Sequence, residues 1–254
     1  VEYRAHVKNI GWQNWVSADK VAGTTGRSLQ TEAISIRLTG DMAKKYDVYY
    51  RVHAQNFGWM GWAKNGENAG SAGYGYRLEG IQIKLVKKGS AAPGSTTNAY
   101  SEAKISYSTH VQNIGWQNAV VDGATAGTTG QSKRLEAIKI NLQNQDYSGG
   151  IQYRTHIQNI GWENSWKSNG TVSGTSGRSL RLEAIQIKLT GEMANKYDIY
   201  YRVHAQNFGW MGWAKNGESA GTAGYSYRLE GIQIKLVKKG AAAPGSTTNT
   251  YKEK

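Results

Sequence analysis

The sequence predicts an all-β protein built as a three-fold repeat domain, β-prism-like in arrangement, with a β-trefoil as the alternative. Three observations predict it. A ten-residue word recurs five times, running from Tyr3, Tyr50, Tyr107, Tyr153 and Tyr201 to Trp12, Trp59, Trp116, Trp162 and Trp210. Each copy is followed by a Gly-rich turn and then by alternating apolar residues, as in Ile34, Ile36 and Leu38. Period two with one apolar face marks a half-buried strand. The copies also group as two and then three, each group closed by a connecting segment, and the unit is read as three repeats of which the first group lacks one.

The elements follow in order. Tyr3, Ala5 and Val7 alternate with Arg4, His6 and Lys8, which makes the opening of a repeat a strand. Gly11 to Val16 reads as a second, short strand, and Gly23-Thr24-Thr25-Gly26 as the turn after it. The run from Glu32 to Leu38 is the third strand. Met42 to Tyr46 and Met193 to Tyr197 alone suggest helical turns. A single repeat of roughly 40 residues is at the lower limit for folding alone, so three sheets sharing one axis are expected to bury their inner faces together. A trefoil normally needs four strands per repeat, and three are evident.

Repeats one and four resemble each other, and repeats two and five are nearly identical. Repeat three stands apart, with Ala119 where the others carry a second Trp. The resulting division is 1–86, two repeats forming an incomplete unit; 87–104, a linker rich in Gly, Ser, Ala and Thr; 105–238, a complete unit of three repeats; and 239–254, a linker-like tail. Val1-Glu2-Tyr3 matches Ile151-Gln152-Tyr153, so the start falls inside the pattern and reads as a piece trimmed from something longer.

Composition narrows the function. The 254 residues include no Cys, which excludes a disulfide framework and a thiolate metal site. The net charge of +13 favours anionic partners such as nucleic acid, an acidic cell-wall polymer or a membrane surface. Many of the cations, Arg37, Lys84, Lys188 and Lys235 among them, sit at alternate strand positions and read as a solvated sheet face. No run is long and apolar enough to insert in a membrane. Tyr and Trp (16 and 9) outnumber Phe (2), which suits half-wet surfaces.

The recurring side chains divide by expected role. Trp12, Trp59, Trp116, Trp162 and Trp210 occur in every repeat and read as core anchors, each burying on the order of 200 Å². Trp15, Trp62, Trp166 and Trp213 point the other way on an extended strand, and repeat three dispenses with the position. They are the expected ligand-binding face, and replacing Trp62 and Trp213 with Ala should spare folding. His6, His53, His110, His156 and His204 supply one imidazole per repeat, too few for a metal site within a repeat, and read as structural. Glu32, Glu79, Glu136, Glu183 and Glu230 share parity with the inward Ile residues, so each must accept hydrogen bonds from loop amides, an indole or an Arg. No second carboxylate recurs beside them, so no acid–base pair forms and no catalytic residue is assigned. No phosphate-cradling loop, nucleophile elbow or His-Glu-Xaa-Xaa-His motif is present. No metal or cofactor is expected, and nucleic acid is disfavoured.

The combination His6-Xaa-Xaa-Asn9-Xaa-Gly11-Trp12, Gly23-Thr24-Thr25-Gly26 and Glu32-Ala33-Ile34 resembles the ChW repeat, the "clostridial hydrophobic with Trp" family. The resemblance covers all five copies and departs in repeats two and five, where Gly70-Ser71-Ala72-Gly73-Tyr74 and Gly221-Thr222-Ala223-Gly224-Tyr225 replace the Thr-Thr-Gly turn. It implies a secreted or surface protein of a Gram-positive bacterium, in a family held to bind macromolecules or build surface complexes. The expectation is a non-catalytic extracellular module that engages polysaccharide, cell-wall polymer or partner proteins through repeated weak contacts. The alternative is a subunit of an extracellular fibre or layer, completed by strand or repeat sharing between chains.

Overall fold

The recurring word folds as a hairpin. In repeat one the strand Glu2–Val7 turns tightly, the Ile10 N–H donating to the Val7 carbonyl, and returns as Gly11–Trp12. Asn9 sits at φ 64°, in the left-handed region that Asn tolerates better than most residues. Its copies Asn56, Asn113, Asn159 and Asn207 do the same. The turn places His6 directly opposite Trp12, and the same pair faces itself in every repeat. The word therefore specifies a turn and a cross-strand His–Trp pair.

The computed structural model describes all residues, 1–254, and divides them into unit one, Val1–Ala103, and unit two, Lys104–Lys254. Both units are all-β apart from two short helices, Gly40–Lys45 and Gly191–Lys196. In every repeat the opening strand pairs antiparallel with the closing one, as Glu2–Val7 does with Thr31–Arg37. Each repeat of unit two holds five strands, two long and three short; the sequence pattern read the first two short strands as one, as at Gly11 to Val16, and missed the third.

Unit two is a closed ring. Each repeat donates one short strand to the closing strand of its neighbour. Ser173–Gly174 of repeat four pairs with Leu135–Leu142 of repeat three, and Ala220–Ala223 of repeat five pairs with Leu182–Thr190 of repeat four. Ala126–Gly127 of repeat three pairs with Leu229–Lys238 of repeat five, which completes the circle. The approach is close: a Cβ on Gly174 would lie 2.5 Å from the Glu136 carbonyl oxygen, so only Gly fits. Three sheets thus surround one core containing Ile105, Tyr107, Ile140, Tyr153, Ile187, Tyr201 and Ile234. The three-fold all-β organisation read from the sequence is the one observed.

Unit one contains two repeats arranged the same way. Ala69–Ala72 of repeat two pairs with Thr31–Arg37 of repeat one. Repeat one forms only four strands, because Ala22 and Gly23, its counterpart of Ser173–Gly174, meet no closing strand.

The segments read as linker and tail are ordered straps. In unit one Trp62 donates to the Ser95 carbonyl at 2.9 Å and Gly70 to that of Ala99 at 3.0 Å. Tyr100–Glu102 then pairs parallel with Ala69–Ala72. In unit two Trp213 donates to Ser246 and Gly221 to Thr250, and Tyr251–Glu253 pairs parallel with Ala220–Ala223. The strap lacks large apolar residues because backbone hydrogen bonds hold it. Its start is fixed by Asp198, which accepts from Gly240, Asn216, Lys215 and Lys239. Burial works to raise that carboxyl, and these bonds outweigh it and hold it well below the usual range.

Candidate functional site

Two parts of the sequence assignment change in the structure. The first concerns the tryptophans. The invariant set is not in the core. Trp59 and Trp116 are 45% and 38% exposed, and Trp12, Trp162 and Trp210 are half-buried. Each stands edge-on to its His, with ring centroids 5.4–5.6 Å apart. The hairpin explains this: the Gly–Trp strand is two residues long and lies at the outer edge of its sheet. Conversely, Trp62 and Trp213 are buried, because the straps cover them; a Cβ on Gly245 would lie 3.2 Å from Trp213 Nε1. Trp15 and Trp166 are half-buried, each between two cations. Arg4 and Arg37 lie 4.8 and 4.2 Å from the Trp15 ring, and Arg154 and Lys188 lie 4.9 and 4.1 Å from that of Trp166.

The second change concerns the glutamates. The closing strand carries a β-bulge at the Glu in every repeat: His6 faces Ala33 while Val7 faces Thr31, so Glu32 is the extra residue. A bulge breaks the period-two parity and re-aims the side chain. The carboxylate turns onto the histidine instead of the Ile face. Glu–His distances are 3.0–3.2 Å in all five repeats. In unit two Arg134, Arg181 and Arg228 complete the contact at 2.7–2.8 Å. In repeat one Gln30 replaces that Arg, and Glu32 accepts instead from the Gly73 and Gly75 amides at 3.1 and 2.6 Å. Burial acts to raise the Glu183 carboxyl, but the His156 and Arg181 bonds prevail and lower it. These oxygens are already occupied by donors, which suits a structural clamp between strands. No group of three or more His, Asp and Glu is placed to hold a metal ion.

Between the hairpin of repeat five and its strap lies a cleft of about 500 Å³. Phe208, Trp210 and Met211 provide its apolar side; Thr248, Asn249 and Ser246 of the strap provide hydroxyls and an amide. Arg202 and Lys252 supply two cations, and no carboxylate lines it. Arg202 is held rigidly. Its guanidinium lies 4.9 Å from both the Trp210 and Trp213 rings, and its Nε donates to Gln233 at 2.8 Å. The cleft exists because Gly212 lets the strap approach: a Cβ there would lie 2.0 Å from the Thr248 carbonyl oxygen.

The altered turn of repeats two and five extends this surface. Tyr225 and Tyr227 pack on Phe208 at 5.8 Å, and Tyr74 and Tyr76 on Phe57 at 5.3 and 6.1 Å. Unit one repeats the cleft's residues as Arg51, Phe57, Trp59, Met60, Thr97 and Asn98, with Ser101 in place of Lys252. Phe208, Asn249 and Lys252 are thus candidate site residues that the sequence reading missed, and Trp210 is one that it read as a core anchor. One signal marks them. Only the repeats followed by a strap carry Phe, where the others have Ile10, Ile114 and Ile160.

The chain belongs to the ChW (Clostridial hydrophobic W) repeat family, whose model matches residues 6–40, 53–87, 110–144, 156–191 and 204–238. Neither the curated proteins nor the solved structures compared with it include a significant match.

Proposed function

We propose that the protein is a non-catalytic, extracellular binding module of a bacterial surface whose ligand is an anionic cell-wall polysaccharide. The observation that supports this is the cleft of repeat five. An indole and a phenyl ring offer faces on which a sugar ring can stack, with strap hydroxyls and an amide within the same space. Arg202 and Lys252 suit acidic substituents. The corresponding residues of unit one, Arg51, Phe57, Trp59, Met60, Thr97 and Asn98, would offer a second surface, so avidity would accumulate from modest single affinities.

Titration calorimetry with an acidic cell-wall glycopolymer and a neutral glucan tests the reading. Saturable binding of the acidic polymer is expected, weakened by salt and by Trp210→Ala or Lys252→Ala. Absence of binding to the acidic polymer overturns it.

A second observation favours the packing of a further ChW repeat against unit one, whether carried on the same polypeptide or on another. Ile81, Ile83 and Leu85 of unit one are 45%, 57% and 47% exposed on one sheet face. Scattered exposed apolar residues are ordinary; three consecutive residues on one strand face mark an interaction surface.

A further inference from the structure

The cleft of repeat five is made by two stretches of chain that recur unchanged in unit one. Tyr201 to Trp213 repeats Tyr50 to Trp62, and Ala243 to Asn249 repeats Ala92 to Asn98. Every residue lining the cleft therefore has an identical counterpart in unit one, except Lys252, whose place is taken by Ser101.

The backbone frame is shared as well. Gly61 donates to the Asn98 carbonyl at 3.4 Å, as Gly212 does to that of Asn249 at 3.3 Å. A Cβ on Gly61 would lie 2.2 Å from the Thr97 carbonyl oxygen, so the strap approaches as closely here as in unit two. The Arg51 guanidinium lies 4.9 and 5.0 Å from the Trp59 and Trp62 rings, and its Nε donates to Gln82 at 2.7 Å. These are the contacts that Arg202 makes in unit two. Phe57 and Phe208 are each 41% exposed. Within one frame a single side chain differs.

The strand that ends the strap places it. Tyr100–Glu102 and Tyr251–Glu253 pair in the same register, Ser101 opposite Ser71 and Lys252 opposite Thr222. Successive residues of a strand face opposite ways. In unit one Tyr100 bonds Glu102 at 3.2 Å and packs on Trp12, while Ser101 turns its hydroxyl onto Tyr74 at 3.1 Å. In unit two the same position carries a cation. Lys252 is exposed, and no carboxylate lines the cleft beside it. The arginine is common to both frames, so repeat five offers a ligand two cations where unit one offers one.

We infer that Lys252 is a specificity-determining residue: it selects an acidic sugar unit for the cleft of repeat five, whereas Ser101 leaves the matching surface of unit one to an uncharged unit. This rests on the reading of the cleft as a glycan site. An ammonium bound to a carboxylate or phosphate makes a charge-assisted contact that a serine hydroxyl does not match. The guanidinium, which donates to sugar oxygens of either kind, remains in both. The ligand that suits the two surfaces together is a glycan with acidic and uncharged units in one chain.

The probes are tetragalacturonate and its full methyl ester, which share a backbone and differ in charge, each titrated into the full 254-residue chain. In NMR spectra the indole N–H signals of Trp59 and Trp210 report the two places separately. The expected result is that the acid binds about tenfold or more tighter than the ester at Trp210, against about twofold or less at Trp59. Lys252→Ser should lower the Trp210 ratio to that of Trp59 without changing the affinity for the ester, and Ser101→Lys should raise the ratio at Trp59. Equal ratios at the two indoles of the parent chain, a Trp210 ratio that survives Lys252→Ser, or a loss of both probes alike in that variant overturns the assignment and leaves the glycan reading standing. If neither probe shifts either indole at up to about 10 mM, both fail.

Discussion

The hydroxyl of Tyr107 accepts the backbone N–H of Ile234 at 3.0 Å across 127 residues of chain. The same hydroxyl donates to the Ala124 carbonyl. The bond recurs around unit two, with Tyr153 accepting from Ile140 and Tyr201 from Ile187. Tyr50 accepts from Ile36 within unit one. The first residue of the recurring word is therefore a pin between repeats.

Tyr107→Phe leaves a buried amide and a part-buried carbonyl without their partner, a cost of about 1–3 kcal/mol. Tyr3 bonds the Lys20 carbonyl at an exposed position, so Tyr3→Phe should cost well under about 1 kcal/mol. Chemical denaturation of the two variants, compared with the parent chain, measures the difference.

The two tryptophan sets should separate by readout. Trp213 is 5% exposed, so Trp213→Ala opens a cavity under the strap and should cost about 3–5 kcal/mol. Trp210 is half-buried at a sheet edge and lines the cleft, so Trp210→Ala should weaken glycopolymer binding with a smaller change in the melting temperature. Calorimetry of unfolding beside calorimetry of binding separates the two effects.

Gly212→Ala places a methyl group against the Thr248 carbonyl and should displace the strap while leaving the ring closed. The expected signature is proteolytic cleavage within 241–250, with protection of 229–238 retained. Rapid cleavage throughout unit two would show instead that the strap supports the whole ring.

Alkaline pH should unfold the protein through the same tyrosine pins. Burial raises the phenols of Tyr50, Tyr107, Tyr153 and Tyr201 above their ordinary value, Tyr50 to about 12. A phenol in the unfolded chain ionises near about 10. The folded state thus holds its protons more tightly. This contribution is complete below about pH 10 and is lost as pH rises through about 12. Denaturation midpoints measured from about pH 9 to 12 should fall steeply, and Tyr153→Phe should reduce the slope.

The register of three repeats was legible because strand alternation and the recurring word are one-dimensional signals. Side-chain directions were less so. Parity assumes an unbroken strand, and the bulge at Glu32 redirects the carboxylate while leaving no mark in hydropathy. The opposite orientations assigned to Trp12 and Trp15 assumed an extended Gly11 to Val16, whereas only Gly11–Trp12 and Val16–Ser17 are strand. Burial of Trp62 depends on a strap of small residues whose hold is through backbone hydrogen bonds, which composition does not record. The cleft inherits that difficulty, since half of it is strap.

Ring closure also sets an order in time. Ala126–Gly127 must wait for Leu229–Lys238, more than two repeats later in synthesis, before its pairing can form. Contacts between such distant segments carry a larger loop entropy and slow the folding of the unit that needs them. Unit one joins only adjacent repeats, so all its internal pairings are available once its strap emerges. The pairings between repeats one and two are thus made by neighbours in sequence and need no such wait.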